Sequence, residues 1–146
     1  HLDIIVRATK IFDQITIAIC HNKNKKPMFT LKDRIQFVKM SVLKYQNINK
    51  IIELNDLLAN FAKKEKIKIL IRGVRTIFDF DYEIKLNHIN KHIYPELDSV
   101  FFLSSKEYSF ISSSFIKELI KYKGNIKPYL PKEIYYLVVK KINNTF

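Results

Sequence analysis

The chain has 146 residues and carries 26 basic against 14 acidic side chains, a formal net charge of +12. This length suits a single domain with its own core, and no apolar run approaches the roughly 20 residues that a membrane-spanning helix needs. Such a charge attracts anions, but lysine supplies most of it. The four arginines are therefore the more informative cations.

The lone cysteine, Cys20, lies in the apolar run "ITIAIC". This setting predicts a buried thiol and not a disulfide partner. The opening "HLDIIVRATKIF" does not resemble a signal peptide, because it has neither a basic leader nor a small-residue cleavage site. We therefore expect a cytoplasmic protein.

Short apolar runs alternate with segments of helical spacing along the whole chain. The runs predict strands at Gln14–Cys20, Ile48–Leu54, Ile67–Ile71 and Ser99–Ser104. The helical segments are 1–12, a helix starting at Thr30, one capped by Asn55 or Asp56, Thr76–Tyr94, a helix from Phe115 that stops at Gly124, and Lys132–Ile142. Alternation of this kind favours an α/β fold, a doubly wound parallel sheet in one domain covering residues 1–146.

Two helix starts carry a specific capping pattern. Thr30 precedes Asp33 by three positions, and Thr76 precedes Asp79 by the same distance. A threonine followed three residues later by an acidic residue is typical of a capping box.

Ligands of open α/β sheets bind beyond the carboxyl ends of the strands. Three predicted strand ends carry cations, a glycine or serines: "HNKNKKP" with Lys23, Lys25 and Lys26, then "RGVR", then "SSKEYSFISSS". Such residues beside helix starts favour an anion with several phosphates.

The stretch "RGVR" uses one of two glycines and two of four arginines. We interpret Gly73 as a turn residue with positive φ, or as a point where the backbone approaches a ligand. Arg72 and Arg75 offer planar forks for phosphate oxygens. The alternative is an ordinary turn whose arginines pair with acidic residues nearby, namely Asp79, Asp81 or Glu83.

The sequence gives little support for a protein-held metal or for a covalent hydrolase mechanism. His88 and His92 are four residues apart on a predicted helix, but no further ligand completes a metal site, so we expect no protein-held metal. The chain also lacks a nucleophile elbow of the Gly-x-Ser-x-Gly type.

Over nearly its whole length the sequence resembles the bacterial phosphopantetheine adenylyltransferases, nucleotidyltransferases with an (H/T)-x-G-H motif. The matching segments are "HLDIIVRAT", "KKPMFTL", "DLLANFA", "ILIRGVRTIFDFDYE", "LNHINKHIYPELDSVFFL" and "SKEYSFISSSFIKEL". The resemblance implies a Rossmann-like domain that transfers AMP from ATP, with Mg²⁺, to 4′-phosphopantetheine. The products would be dephospho-coenzyme A and pyrophosphate, and the assembly a homohexamer with neither nucleic-acid nor membrane partners.

The resemblance also assigns roles position by position. It implies four catalytic residues: His1, Lys25, Arg75 and Ser113. The implied ATP-binding residues are His1, Gly73, Val74, Arg75, Glu83, Tyr108, Ser109, Phe110, Ile111, Ser112, Ser113 and Ser114. The implied phosphopantetheine-binding residues are Lys25, Leu58 and Arg72.

The front of the chain departs from the family pattern. The family's first strand and its "TFDPxTxGH" turn are expected before His1, and only the final histidine of that turn is present. Two other functions stay open: another small-molecule nucleotidyltransferase, such as one acting on nicotinamide mononucleotide, and a basic α/β module that binds nucleic acid.

Overall fold

The computed structural model describes residues 1–20 and 27–143. Strand β1 (Ile15–Cys20) pairs with β2 (Ile48–Leu54), and β3 (Ile69–Val74) pairs with β4 (Asp98–Leu103). Both pairs are parallel. The predicted α/β class with parallel strands is confirmed, although the described strands form two separate pairs and not one continuous sheet. The additional strand expected before His1 concerns residues that the sequence does not contain and stays a prediction.

Six α-helices lie within the described residues. They are α1 (Leu2–Ala8), α2 (Leu31–Val42), α3 (Leu58–Lys64), α4 (Ile77–Ile93), α5 (Ser113–Lys121) and α6 (Tyr135–Asn143). Short 3₁₀ turns occupy Lys106–Tyr108 and Lys127–Tyr129. Parallel strands need crossover connections, and α2 and α4 belong to the two crossovers. Among the described helices, none combines the length and apolar character required to cross a membrane.

Both predicted threonine caps are confirmed, but of these two helix starts only the one at Thr30 has the reciprocal bond of a capping box. The Thr30 hydroxyl accepts a hydrogen bond from the Asp33 N–H at 3.2 Å, and the Asp33 carboxylate accepts one from the Thr30 N–H at 3.2 Å. The Thr76 hydroxyl likewise accepts the Asp79 N–H at 3.1 Å. These bonds satisfy N–H groups that a helix start leaves without partners.

The predicted cap of α3 is wrong. The residue at the N-cap position is Leu57, which has no capping side chain. The Asp56 carboxylate instead accepts the Leu57 N–H at 2.6 Å and the Asn60 side-chain amide at 3.2 Å. Aspartate often binds nearby backbone N–H groups, and here this local bond replaces the cap.

The third strand is longer than predicted. It ends at Val74 and not at Ile71, and its residues Arg72 and Gly73 are in register with Phe101 and Phe102 of β4. Because β3 pairs with β4, the extended backbone continues through "RGV". The pattern of a single sequence does not reveal such pairing. The prediction that "RGVR" forms a turn is therefore wrong.

Helix α1 packs over both strand pairs. One buried cluster contains Ala8 of α1, Ile15 of β1 and Phe102 of β4, with Ile4 of α1 and Ile71 of β3 packed against it. Burial of this apolar surface is the main stabilising contribution at the junction. The first turn of α1 is thereby placed beside β3.

Candidate active site

The carboxyl ends of β1 and β3 lie side by side. Cys20, the last residue of β1, is within electrostatic range of the Arg72 guanidinium near the end of β3. The Cys20 side chain is exposed, so the prediction of a buried thiol is wrong. Because β4 runs parallel to β3, its end at Leu103 meets the same edge. The ends of the strands that precede the three predicted phosphate-binding regions therefore lie at one edge, while most of the first region, residues 21–26, lies outside the described residues.

Arg72 is held by Glu83 of α4 through a two-pronged ion pair. The Arg72 Nε–Glu83 Oε2 and Arg72 Nη2–Glu83 Oε1 distances are both 2.6 Å. Hydrogen bonding to Glu83 raises the pKa of Arg72, against the opposing effect of burial. A guanidinium has five N–H donors, and this pair uses two of them. Glu83 thus fixes the orientation of the Arg72 guanidinium, and its remaining N–H donors are available to a ligand.

Arg75 connects the start of α4 to the segment before α5. Its Nε donates to Asp79 Oδ2 at 3.0 Å, and its Nη1 donates to the Ile111 carbonyl oxygen at 3.3 Å. The hydrogen bond from Arg75 is the largest cause of the lowered pKa of Asp79. The structure therefore brings two predicted ATP-binding residues, Arg75 and Ile111, into direct contact.

His1 lies at the N-cap of α1, on the same side of the molecule. Its side chain is exposed, and its neighbour in the first turn, Asp3, bonds to Ser105 after β4.

The segment 108–114 leads into the first turn of α5. The Ser112 hydroxyl caps the helix by accepting the Phe115 N–H at 3.0 Å. Ser113 and Ser114 follow it and are exposed. No described residue bonds to either hydroxyl, so both can reach a ligand. Upstream, Tyr108 is 47% and Phe110 57% exposed, large values for aromatic side chains.

The structure explains the glycine at position 73 differently from the sequence prediction. Its φ is not positive, and it lies inside β3. A Cβ at this position would come 2.9 Å from Ile4 Cγ1. Glycine is needed there because α1 packs directly on the strand, a common reason for glycine within strands.

The remaining predicted site residues are Leu58, Val74 and Lys25, for which the described part of the structure gives no polar side-chain contact within the site. Leu58 is the first residue of α3 and packs against a buried cluster that includes Ala59 and Leu70. No described contact joins it to Arg72. Val74 is buried, so only its backbone can face a ligand. Lys25 lies outside the described residues.

Sequence reasoning missed one set of polar contacts at this edge. Asp3 of α1 bonds to Ser105, just after β4, and Arg7 bonds to the Leu103 carbonyl oxygen. A hint exists in the spacing of Asp3 and Arg7, which puts both on one face of a helix. Their partners about 100 positions later could not be inferred from that spacing.

The chain is similar to known proteins over nearly its whole length. A cytidylyltransferase-like family model matches residues 1–119, which include every residue discussed as part of the site. The phosphopantetheine adenylyltransferase of Buchnera aphidicola subsp. Acyrthosiphon pisum (strain Tuc7) is 68% identical over 144 residues, 99% of this chain and 87% of that protein. The phosphopantetheine adenylyltransferase of the subspecies Schizaphis graminum (strain Sg) is 66% identical over the same shares. Within the cytidylyltransferase-like class, the chain belongs to the phosphopantetheine adenylyltransferase family.

Proposed function

We propose that this chain transfers the adenylyl group of ATP to 4′-phosphopantetheine, in the cytoplasm, as a step of coenzyme A synthesis. The products are dephospho-coenzyme A and pyrophosphate. The observation that carries the proposal is the separation of two arginines at the end of β3. Arg72 lies beside the end of β1, whereas Arg75 bonds to the segment that leads into α5. Each guanidinium is oriented by its own carboxylate and keeps further N–H donors, which supports two separate anionic ligands.

The chemistry needs positioning and charge stabilisation and no covalent protein intermediate. A phosphate oxygen of phosphopantetheine attacks the α-phosphorus of ATP in line. A new P–O bond forms while the bond to the pyrophosphate oxygen breaks. Arg75, His1, Lys25 and the exposed hydroxyl of Ser113 would stabilise the charge that develops on these oxygens. Arg72 would hold the phosphate of the second substrate, and the exposed Phe110 and Tyr108 would contact ATP.

Magnesium enters this proposal as part of the substrate Mg-ATP. Within residues 1–20 and 27–143, no three His, Cys, Asp or Glu side chains are grouped as a metal site. The carboxylates of Glu83 and Asp79 are engaged by arginines. Mg²⁺ usually retains waters and binds substrate phosphates, which fits a site rich in cations and hydroxyls.

The assay measures pyrophosphate release with Mg-ATP and phosphopantetheine. Replacing Arg75 by Ala should lower kcat at saturating ATP by roughly 10²–10³, the usual effect of removing one transition-state donor. Replacing Arg72 by Ala should mainly raise the KM for phosphopantetheine, because its phosphate loses a paired donor. Lys85→Ala is the control, since within the described part of the chain Lys85 pairs only with exposed Asp81 on α4.

Two results would contradict these assignments. One is an Arg75→Ala variant with unchanged kcat, and the other is an Arg72→Ala variant whose defect is confined to ATP. A substrate panel that includes nicotinamide mononucleotide tests the acceptor itself. Faster pyrophosphate release with that compound than with phosphopantetheine would replace the proposed acceptor.

The proposed assembly is a homohexamer, as the family resemblance implies. Supporting it, the 17-residue helix α4 has no buried residue in the isolated chain. Ile77 and Phe78 at its start are 85% and 87% exposed, and Tyr82 one turn later is 61% exposed. Such a concentration of exposed large apolar side chains is typical of a protein–protein interface.

A further inference from the structure

Two side chains of α1 bind the chain just after β4. Asp3 accepts hydrogen bonds from the Ser105 hydroxyl, at 3.1 Å to each carboxylate oxygen, and from the Ser105 N–H at 3.3 Å. Arg7 donates to the Leu103 carbonyl oxygen at 2.6 Å. These contacts join segments that are about 100 positions apart in the sequence.

The Asp3 contacts are partly buried, the Arg7–Leu103 contact is exposed, and Arg7 also approaches Asp3. The Asp3 side chain is only 16% exposed. Arg7 Nη1 lies 3.5 Å from Asp3 Oδ2, and the Arg7 guanidinium is 5.2 Å from the centre of the Phe102 ring. A carboxylate accepts several donors at once, and a partly buried charge-assisted bond is stronger than a neutral one. We call Asp3, Arg7 and Ser105 the α1–β4 clamp.

Each end of the clamp is next to a residue of the proposed site. Asp3 is two positions after His1 in the first turn of α1. Ser105 immediately precedes the 3₁₀ turn Lys106–Tyr108, which opens the ATP-binding segment. We propose, on the basis of the proposed function, that Asp3 is a positioning residue: through Ser105 it fixes the distance between His1 and the ATP-binding segment.

A positioning role differs from ordinary stabilisation of α1 in what it changes. If the clamp only stabilised the fold, its loss would lower the melting temperature and leave the turnover of folded molecules unchanged. If it sets the distance between His1 and the bound ATP, its loss lowers kcat. A misplacement of about 1 Å at a catalytic group can cost on the order of 10²-fold in rate.

The first experiment measures kcat and both KM values for Asp3→Asn and Ser105→Ala at a temperature where both variants are folded by circular dichroism. We expect each variant to lower kcat about 10- to 100-fold. The two KM values should change by less than roughly 3-fold, because Arg72 and Arg75 are untouched. Asp81→Asn removes the same charge from an exposed ion pair on α4 and should leave kcat unchanged.

Two further variants separate the clamp from unrelated effects. Ser105→Thr keeps the hydroxyl and should retain activity. The double variant Asp3→Asn with Ser105→Ala should be no slower than the worse single variant, because both substitutions weaken the same Asp3–Ser105 interaction. Independent multiplication of the two effects would overturn the proposal, and so would a normal kcat in Asp3→Asn.

A second measurement does not depend on the reaction. The chain has four histidines, so the imidazole signals of the full protein can be assigned by NMR with a His1→Gln variant. The His1 signal should shift or broaden in Asp3→Asn and Ser105→Ala, while those of His88 and His92 on α4 stay in place. An unchanged His1 signal in both variants contradicts the clamp. If the wild type lacks the proposed activity but the His1 signal still shifts in the two variants, the proposed function is contradicted and the clamp is not.

Discussion

At the scale of single residues, Gly73 shows how one position links the fold to the site. The sequence marks it as special, because glycine is scarce and lies between two arginines. The structure gives the reason: Ile4 of α1 occupies the space that a side chain would need. Since α1 begins directly after His1, a shift of the helix also shifts His1 relative to Arg75.

Replacing Gly73 by Ala should therefore destabilise the fold by about 1–3 kcal/mol, the usual cost of overpacking. The new Cβ would lie 2.9 Å from Ile4 Cγ1 but 3.8 Å from Ile4 Cβ, an ordinary contact. Adding Ile4→Ala removes the clashing atom, so the double variant should lose less than the sum of the two single losses. Urea denaturation measures the free energies of unfolding. Simple additivity would mean that Ile4 is not the obstacle.

The arginine pairs mark a limit of prediction at this scale. The sequence shows that acidic residues lie near Arg72 and Arg75, and it left Asp79, Asp81 and Glu83 as candidate partners. Arg75 pairs with Asp79 because a capped helix start fixes both. Arg72 pairs with Glu83, 11 positions away, because α4 is oriented with its second turn over β3. That orientation depends on packing between elements, which local spacing does not encode.

At the scale of elements, local chemistry predicts two helix starts correctly but fails at the start of α3 and at the end of β3. The caps at Thr30 and Thr76 follow from side chains and neighbours within three positions. The end of β3 depends on pairing with β4, and there the prediction was wrong. The end of α5 was assigned to Gly124, yet Lys123 is the residue with positive φ, at 54°. Gly124 is the next residue, and a Cβ at position 124 would lie 2.9 Å from the Leu119 side chain.

This arrangement predicts that Lys123→Gly stabilises the protein. The Gly124 N–H bonds to the Leu119 carbonyl oxygen at 2.7 Å and the Lys123 N–H to that of Ile120 at 3.1 Å, as in a Schellman motif. A side chain in the left-handed region costs roughly 1–2 kcal/mol, partly offset by the flexibility of an unfolded glycine.

We expect a net gain of about 0.5–1 kcal/mol in the free energy of unfolding for Lys123→Gly. Thermal or urea denaturation provides the measurement. Lys123→Ala is the matched control, because it removes the same charge but keeps a Cβ, and it should bring no such gain. Equal stabilisation by both variants would trace the effect to charge and not to backbone conformation.

At the scale of the whole molecule, the sequence predicts the α/β class, which the structure confirms, and favours the carboxyl ends of the strands for the candidate site. It does not predict how closely α1 packs on β3, nor that α1 reaches the end of β4 through Asp3 and Arg7. Contacts of this kind join residues far apart in the sequence, and a single chain gives no periodic signal for them. They decide the distances within the site, which the order of strands and helices leaves undetermined.

The prediction for the assembly rests on the exposed apolar side chains of α4. A double variant with Ile77→Ser and Phe78→Ser removes two large apolar side chains that no described residue covers, 85% and 87% exposed. Since burial of apolar area drives association, the proposed homohexamer should dissociate to smaller species. Light scattering coupled to size-exclusion chromatography measures the mass.

Two features make this test of the assembly specific. Lys85→Ser changes another exposed side chain of α4 and should leave the assembly intact. The serine variant should keep its circular dichroism spectrum, because α4 contributes no buried residue to the isolated fold. An unchanged mass for the double variant would place the subunit interface on another face, whereas a wild type that elutes as a monomer would refute the hexamer itself. The exposed surface of α4 would then need a different partner, since an apolar area of this kind rarely stays uncovered.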